Sequence, residues 1–438
     1  MRIGVVPNLD RALGGTYQYS ITMLNALRHP DAGDEIVVFL YAGEELPPEL
    51  EDANFPVVRL TPDRGFLGLA WRTVARRLPP GLRLRLRESL DSQVARVSSR
   101  DEGSATDRSP TDPAWARLFS DAGAELLVFA SDSNVSFQSG VPYIVAIHDL
   151  QYLMQPEFPE LSLGDEFERR DHTMRNSILH ATGLLVDSEV GKEDVLRLFG
   201  DTCGIDSASV FVLPFLPADY LLSGVTDADR SRVAERYGVS PGYLFYPAQF
   251  WPHKNHARIV SALGELNRQG LPIELVLTGS KPAPLGEQTF AEMMAVAERE
   301  GVQSMVHYLG YVPDEDMPAL YSQAAALIMP TFFGPTNIPV VEAWSLGCPV
   351  ITSDIRGVRE QAGDAAVLVD PRSVTSIADG IRLVVEDPVF SRELSRRGRA
   401  QLAAYTRDDY AQRLLAAIRE CKRRVAGAPR DRDEGAGR

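Results

Sequence analysis

Short apolar runs recur along the chain at near-regular spacing, each bounded by Gly, Pro, Asn or Asp and most of them followed by a segment of helical periodicity. In the first half, Ile3 to Val6, Ile36 to Tyr41, Glu125 to Ala130, Pro142 to Ile147, Gly183 to Asp187 and Val210 to Leu213 read as buried strands. In the second half the rhythm returns at Tyr243 to Pro247, Ile273 to Thr278, Val306 to Leu309, Ala324 to Met329, the run opening at Val350, and Ala366 to Val369. Between them lie helical patterns, among them Gly14-Gly15-Thr16 through Leu27, Val190 to Phe199, Arg258 to Gln269, Gln288 to Glu300 and Glu315 to Gln323. Val374 to Glu386, Phe390 to Ala404 and Asp408 to Arg424 close the chain. Strands that are apolar throughout, alternating with helices, predict doubly wound parallel sheets: an α/β chain of two Rossmann-like domains.

The domain boundaries follow from the breaks in this rhythm. Residues 1–222 form an N-terminal domain with an insertion at about 62–113, and 238–405 form a second domain. A closing helix is expected over 406–424, and the polar Gly/Pro-bearing tail 425–438 is expected to be disordered. The polar stretch Ser223 to Pro241 reads as the connector.

The 438-residue length exceeds one ordinary core, which agrees with two domains. A net charge of −15 argues against a nucleic-acid binder. Three scattered cysteines, Cys203, Cys348 and Cys421, give neither a disulfide framework nor a metal spacing. The first strand begins at once, with no apolar signal segment ahead of it, so a cytoplasmic protein is expected. One stretch departs from the acidic balance. From Arg72 to Arg100 eight Arg stand against two acids, and Leu82, Leu86, Leu90, Val94 and Val97 fall on one helical stripe. Such a basic amphipathic segment suits peripheral contact with an anionic membrane face or acceptor.

Candidate chemistry concentrates where strands end. Pro330 to Ile351 reads as a Gly/Pro/Asn loop after a buried strand, with Thr336 or Asn337 as helix cap, Pro339 in the first helical turn and Gly347 as its stop. A helix start at a strand end is an anion site, and Gly334, Thr336, Asn337 and Ile338 lie in it. Glu342, one turn in, is placed to hold a hydroxyl beside a bound phosphate, and Lys254, after another strand, can supply a point charge. Gly14 and Gly15 allow close backbone approach to a ligand. His148 is a polar group at a third strand end, followed by Asp149; Ser188 is placed to cap the helix after a fourth. No HExxH or CxxC spacing and no Walker A lysine motif occurs, so no metal is expected.

The ordered series Gly14-Gly15, His148-Asp149, Ser188-Glu189, YPAQFWPHKNH (Tyr246 to His256), Leu309-Gly310-Tyr311 and GPTNIPVVEAWSLGCPVI (Gly334 to Ile351) resembles glycosyltransferase family 4. The resemblance runs from about residue 1 to about 424, apart from the insertion. It implies a GT-B fold with a closing helix that crosses back to the first domain. The implied activity is metal-independent transfer of a sugar from a nucleotide-sugar donor (UDP-, GDP- or dTDP-linked) to an acceptor hydroxyl, with retention. The acceptor would be a saccharide, a lipid-linked group or a small molecule. Glu342 would hold the donor ribose, and Lys254 with backbone around Asn337 and Ile338 the diphosphate. His148 would face the transferred sugar, Gly15 would lie near acceptor and phosphate, and main chain at Tyr311 and Val312 would lie beside the base. Two positions depart from the pattern. Gly334 stands where relatives carry the first Glu of an E-x7-E motif, and Gln249 where they often carry Arg. The same fold also serves nucleotide-sugar epimerases and non-catalytic nucleotide-sugar binders, the alternatives left open.

Overall fold

The computed structural model describes residues 1–11, 14–61, 110–162, 164–222 and 224–427. The basic stripe within 72–100 and residues 428–438 of the tail lie outside them, while 425–427, expected to be disordered, continue the last helix. Two parallel sheets organise the chain. The first contains β1 (Arg2–Val6), β2 (Glu35–Leu40), β3 (Val57–Arg59), β4 (Leu126–Phe129), β5 (Tyr143–Ala146), β6 (Gly183–Val186) and β7 (Val210–Val212). Their spatial order is β3-β2-β1-β4-β5-β6-β7. The second contains β8 (Leu244–Pro247), β9 (Leu275–Thr278), β10 (Val306–Tyr308), β11 (Ala326–Met329), β12 (Val350–Ser353) and β13 (Val367–Val369), in the order β10-β9-β8-β11-β12-β13. Strand β1 pairs in parallel with both β2 and β4, and β8 with both β9 and β11. Chain order therefore reverses between β1 and β4 in one sheet and between β8 and β11 in the other. Loops beyond those strand ends diverge to opposite faces and leave a crevice.

Most expected strands and helices form within a few residues of their anticipated bounds, because wholly apolar strands flanked by glycine and proline have one stable placement. Several elements were not anticipated, and three of them change the picture. Strand β3 has alternating exposed and half-buried residues, as an edge strand does. The helix Pro113–Asp121 begins at the end of the presumed insertion, capped by Asp112, which accepts from the Ala114 N–H at 2.8 Å. The connector is also not an open linker: Asp227–Tyr237 is a helix started by a reciprocal box between Thr226 and Asp229. Its Val233 is fully buried in the second core, and Arg232 and Arg236 reach Asp316. Asp316 is itself fully buried, so those two guanidinium groups balance a charge that would otherwise be costly.

The last helix, Arg407–Gly427, returns to the first domain. Tyr410, Leu414, Leu415 and Ile418 are buried with Tyr17, Ile21 and Leu24 of the first helix, Gly15–Ala26. Each such fully buried aliphatic side chain contributes about 1.5–3 kcal/mol, so this helix is a structural part of the N-terminal unit. No helix among the described residues is long and apolar enough to cross a membrane.

Candidate functional site

Between the two sheets lies a cleft of about 670 Å³. Every residue expected from the sequence to contact donor or acceptor lines it: Gly14, Gly15 and His148 from the first domain, Gln249, Lys254, Tyr311, Val312, Gly334, Thr336, Asn337, Ile338 and Glu342 from the second. Residues up to about 330 positions apart converge because their loops follow β1, β5, β8 and β11, the strands at or next to the two reversal points, joined at the rim by Tyr311 and Val312 from the loop after the edge strand β10.

Lys254 is placed by its backbone. Its carbonyl accepts the Tyr246 hydroxyl at 2.9 Å, and its N–H donates to Trp251 O at 2.9 Å. The next residue, Asn255, is left-handed (φ 65°) and buried, and its Nδ2 donates to Pro330 O and Pro371 O, both at 2.8 Å. The Lys254 loop is thus tied to the end of β11. Its amine makes no side-chain hydrogen bond or ion pair among the described residues, and burial pushes its pKa down to about 8. A half-buried cation without a direct ion pair, facing a cleft, is suited to an anionic ligand. His256, next to it, belongs to the core: it stacks on Phe250 at 4.3 Å, and burial holds it neutral, down to about 3.

The opening helix of the anion site is Ile338–Leu346. Its expected side-chain cap is absent. Asn337 occupies the cap position, but its Nδ2 turns back to Gly334 O at 3.3 Å. Thr336 instead donates its hydroxyl to Asp187 of the other domain. The Gln361 side chain substitutes for the cap, accepting the Asn337 N–H at 2.9 Å and donating to the Asn337 carbonyl at 2.9 Å. Gly334 has φ 133°, where side chains are disfavoured, and a Cβ there would meet Asn337 Oδ1 at 2.7 Å.

Glu342 sits one turn in, 6% exposed, and its Oε2 accepts the Tyr321 hydroxyl at 2.7 Å. Burial raises its pKa to about 7, against the opposing Tyr321 hydrogen bond. The tyrosine fixes one oxygen and leaves the other for a ligand hydroxyl. Tyr321 was not legible in the sequence, since a helical tyrosine gives no spacing signal.

Across the cleft, the His148 ring packs edge-on against Tyr19 at 4.8 Å, and Nε2 lies 2.7 Å from Ala130 O. A carbonyl only accepts, so Nε2 carries the proton and the neutral ring presents Nδ1 as an acceptor. Burial lowers its pKa, which favours this neutral form. A Cβ on Gly15 would lie 3.2 Å from Ile338 Cδ1, so the glycine loop abuts the start of the facing helix. Tyr311 is 69% exposed at the rim, while Val312 is buried. Gln249 lends its Oε1 to the Trp251 indole at 2.8 Å. Two carboxylates beyond Glu342 also line the cleft: Asp149, whose Oδ1 accepts the Gln151 N–H at 3.0 Å, and Asp314, 3.7 Å from Arg11.

The domains meet through polar contacts that sequence reasoning did not find. Glu360 accepts the Glu189 and Val190 N–H groups, each at 3.1 Å, at the start of the helix Glu189–Cys203, which Ser188 caps as expected. Arg356 pairs with Asp194 at 2.6 Å and Glu193 at 2.5 Å. Gln155 donates to Phe332 O at 3.0 Å, and Glu160 contacts His253 at 2.6 Å.

Residues 228–401 match the family model described as "Glycosyl transferases group 1". The chain is 27% identical over 276 residues to the O-antigen chain mannosyltransferase B of Escherichia coli, covering 60% of this chain and 66% of that protein. It is 22% identical over 260 residues to the alpha-D-kanosaminyltransferase of Streptomyces kanamyceticus, covering 58% of this chain and 64% of that one. The matches thus span just under two thirds of these relatives' own lengths. Among solved structures, Anabaena Alr3699/HepE in complex with UDP and glucose superposes with a TM-score of 0.66 at 18% identity, covering 97% of this chain and 100% of that one. Sucrose-phosphate synthase from Thermosynechococcus elongatus gives a TM-score of 0.68 at 16% identity, covering 97% and 99%. The architecture is the GT-B fold.

Proposed function

We propose that the chain is a glycosyltransferase of glycan, glycolipid or glycosylated-metabolite synthesis that moves a sugar from a nucleotide-sugar donor to an acceptor hydroxyl with retention and without a metal. The observation that carries this reading is the convergence in one inter-domain cleft of Lys254, which has no direct ion pair among the described residues, the start of the helix Ile338–Leu346 and the buried, Tyr321-bound Glu342. In that arrangement Glu342 holds the ribose, while Lys254 and the helix start receive the diphosphate. The match of residues 228–401 to a glycosyl transferase family model supports the assignment.

Departure of a nucleoside diphosphate develops negative charge, and a positioned cation and helix terminus stabilise it in place of a metal. His148 Nδ1 accepts from a hydroxyl of the transferred sugar. Attack proceeds from the same face, with the leaving phosphate taking the acceptor's proton, rather than through a covalent intermediate. With Gly334 at the position where relatives have a carboxylate, the Asn337 amide is the group nearest to replace that sugar contact.

A thermal-shift screen of UDP-, GDP-, ADP- and dTDP-sugars tests the reading. One donor is expected to raise the melting temperature and to be hydrolysed slowly without acceptor. Absence of any shift from all of them would overturn it.

A further inference from the structure

We propose that His253, held at Nδ1 by Glu160 of the opposite domain, is a second cationic contact to the donor diphosphate and takes up a proton from solvent as the nucleotide binds. The role rests on the donor reading of the cleft. It answers a deficit in that reading: Gln249 brings no charge where relatives often carry Arg, and its carbonyl is occupied by Trp251.

His253 lines the cleft immediately before Lys254. Its Nδ1 lies 2.6 Å from Glu160 Oε1, and its backbone N–H donates to the same oxygen at 3.2 Å. A carboxylate accepts, so Nδ1 carries a proton and Nε2, on the other side of the ring, is left for the cleft. The Phe158 ring meets the imidazole edge-on at 6.2 Å and limits its rotation. Glu160 is 5% exposed at its side chain, and its Oε2 is buried without a partner. A buried carboxylate with one oxygen unmatched is a strong partner for a full imidazolium.

Four charged or titratable groups bear on the ring. Burial and the Lys254 charge push the empty-cleft imidazole toward its neutral form, while Glu160 and Asp149 oppose them. His256 stays neutral in the core. Burial alone would raise the Glu160 carboxyl, but the His253 ring and backbone N–H hold it below its ordinary range, so it remains an anion. A diphosphate beside Lys254 cancels the repulsion that keeps His253 neutral and adds negative charge of its own. Protonation then converts Nε2 from an acceptor to a donor aimed at phosphate oxygen. Because Glu160 belongs to the first domain, this second cation is prepared only when the domains are closed.

The test uses the full chain with histidine labelled in nitrogen-15, titrated with UDP, GDP, ADP and dTDP, the His253 signal being assigned by its loss in His253→Gln. In the empty protein His253 is expected as a neutral ring protonated at Nδ1, and as a doubly protonated ring in the saturated complex. Binding constants supply the second readout. Glu160→Gln and His253→Gln should each weaken nucleotide binding about tenfold at pH 6.5, the scale of one charge-assisted hydrogen bond, and much less at pH 8.5. The double variant should be no weaker than either single one. A Glu160 that merely braced the domains would give losses equal at both pH values, which overturns the proposal. So does a saturated complex in which His253 stays neutral. If none of UDP, GDP, ADP and dTDP binds the wild type, the donor reading itself fails, and this role with it; binding that Lys254→Met weakens without any change at His253 retains the donor reading and removes only the inference.

Discussion

The Thr336 hydroxyl, in the loop before the helix Ile338–Leu346, donates to Asp187 Oδ2 at the end of β6 in the other domain. Asp187 is 4% exposed, and its Oδ1 also accepts the Ser188 hydroxyl at 3.1 Å. Two donors partly offset the cost of burying the carboxylate, but burial dominates and raises its pKa from 3.8 to about 7. A loop that the sequence assigns to ligand binding is therefore also a bond between the domains.

The first prediction concerns pH. A carboxyl whose folded pKa is raised binds its proton more tightly folded than unfolded. Its contribution to stability is complete below pH 4 and is lost as pH rises to about 7. At 1.36 kcal/mol per unit the loss for Asp187 is on the order of 4 kcal/mol. Asp187→Asn keeps an acceptor for Thr336 without the charge. Its melting temperature relative to wild type should climb between pH 4.5 and 7 and then level off; a difference constant across that range would show that Asp187 carries no such burden.

A second prediction separates Glu342 from its support. A hydrogen bond to a charged group contributes roughly 1.5–3 kcal/mol, so Glu342→Ala should lower kcat/KM for the nucleotide sugar about ten- to a hundredfold. Tyr321→Phe removes only the hydroxyl that fixes Oε2 and should cost several-fold, mostly in donor KM. Steady-state kinetics at varied donor concentration distinguishes the two. An effect of Tyr321→Phe as large as that of Glu342→Ala would place the tyrosine, not the glutamate, against the ligand.

The fold was legible because most strands are apolar along most of their length and the breaks between them are rich in glycine, proline and asparagine; the short edge strand β3, with its exposed residues, lacks that signal. The meeting of Lys254, His148 and Glu342 in one cleft was legible because they follow strand ends, where an open parallel sheet gathers its loops. What escaped depends on distance in the chain. Nothing near Thr336 in sequence indicates Asp187, 149 positions earlier, and nothing near His253 indicates Glu160, 93 positions earlier. The cap was misassigned for the same reason: Thr336 and Asn337 have the right chemistry, but a remote aspartate and the Gln361 amide compete for the same groups. The connector helix was missed although Thr226 and Asp229 stand at capping-box spacing, because Asp took the place of the usual Glu.

Lys254 provides the third prediction. Burial lowers its pKa to about 8, so the free enzyme loses this charge as pH rises through that value. The kcat/KM profile reports free-enzyme groups, and the wild-type limb should fall above pH 8. Lys254→Arg, which stays charged, should lack that fall while having a lower maximum, because a planar fork does not reproduce a point charge. Lys254→Ala should lower kcat about a hundred- to a thousandfold, the usual effect of removing one group that stabilises the leaving charge. Rates within a few-fold of wild type would remove Lys254 from the diphosphate site.

Gly334 gives the last prediction. The family resemblance places a glutamate at this position, and Gly334→Glu would bring a carboxylate back to it, yet the local geometry opposes the change. The backbone has φ 133°, outside the range of ordinary side chains, and the new Cβ would lie 2.7 Å from Asn337 Oδ1. Strained backbone of this kind costs about 1–3 kcal/mol, and the displaced Asn337 would disturb the loop that carries Thr336 and the start of the anion-binding helix. Gly334→Ala should therefore lower the melting temperature, and Gly334→Glu should lower it further without raising kcat/KM. Adding Asn337→Ser relieves the contact but not the φ, so the Gly334→Glu/Asn337→Ser double variant should recover only part of the stability. A Gly334→Glu enzyme that is both stable and faster would mean that the loop rebuilds around the carboxylate, and that Asn337 does not take its place in the wild type.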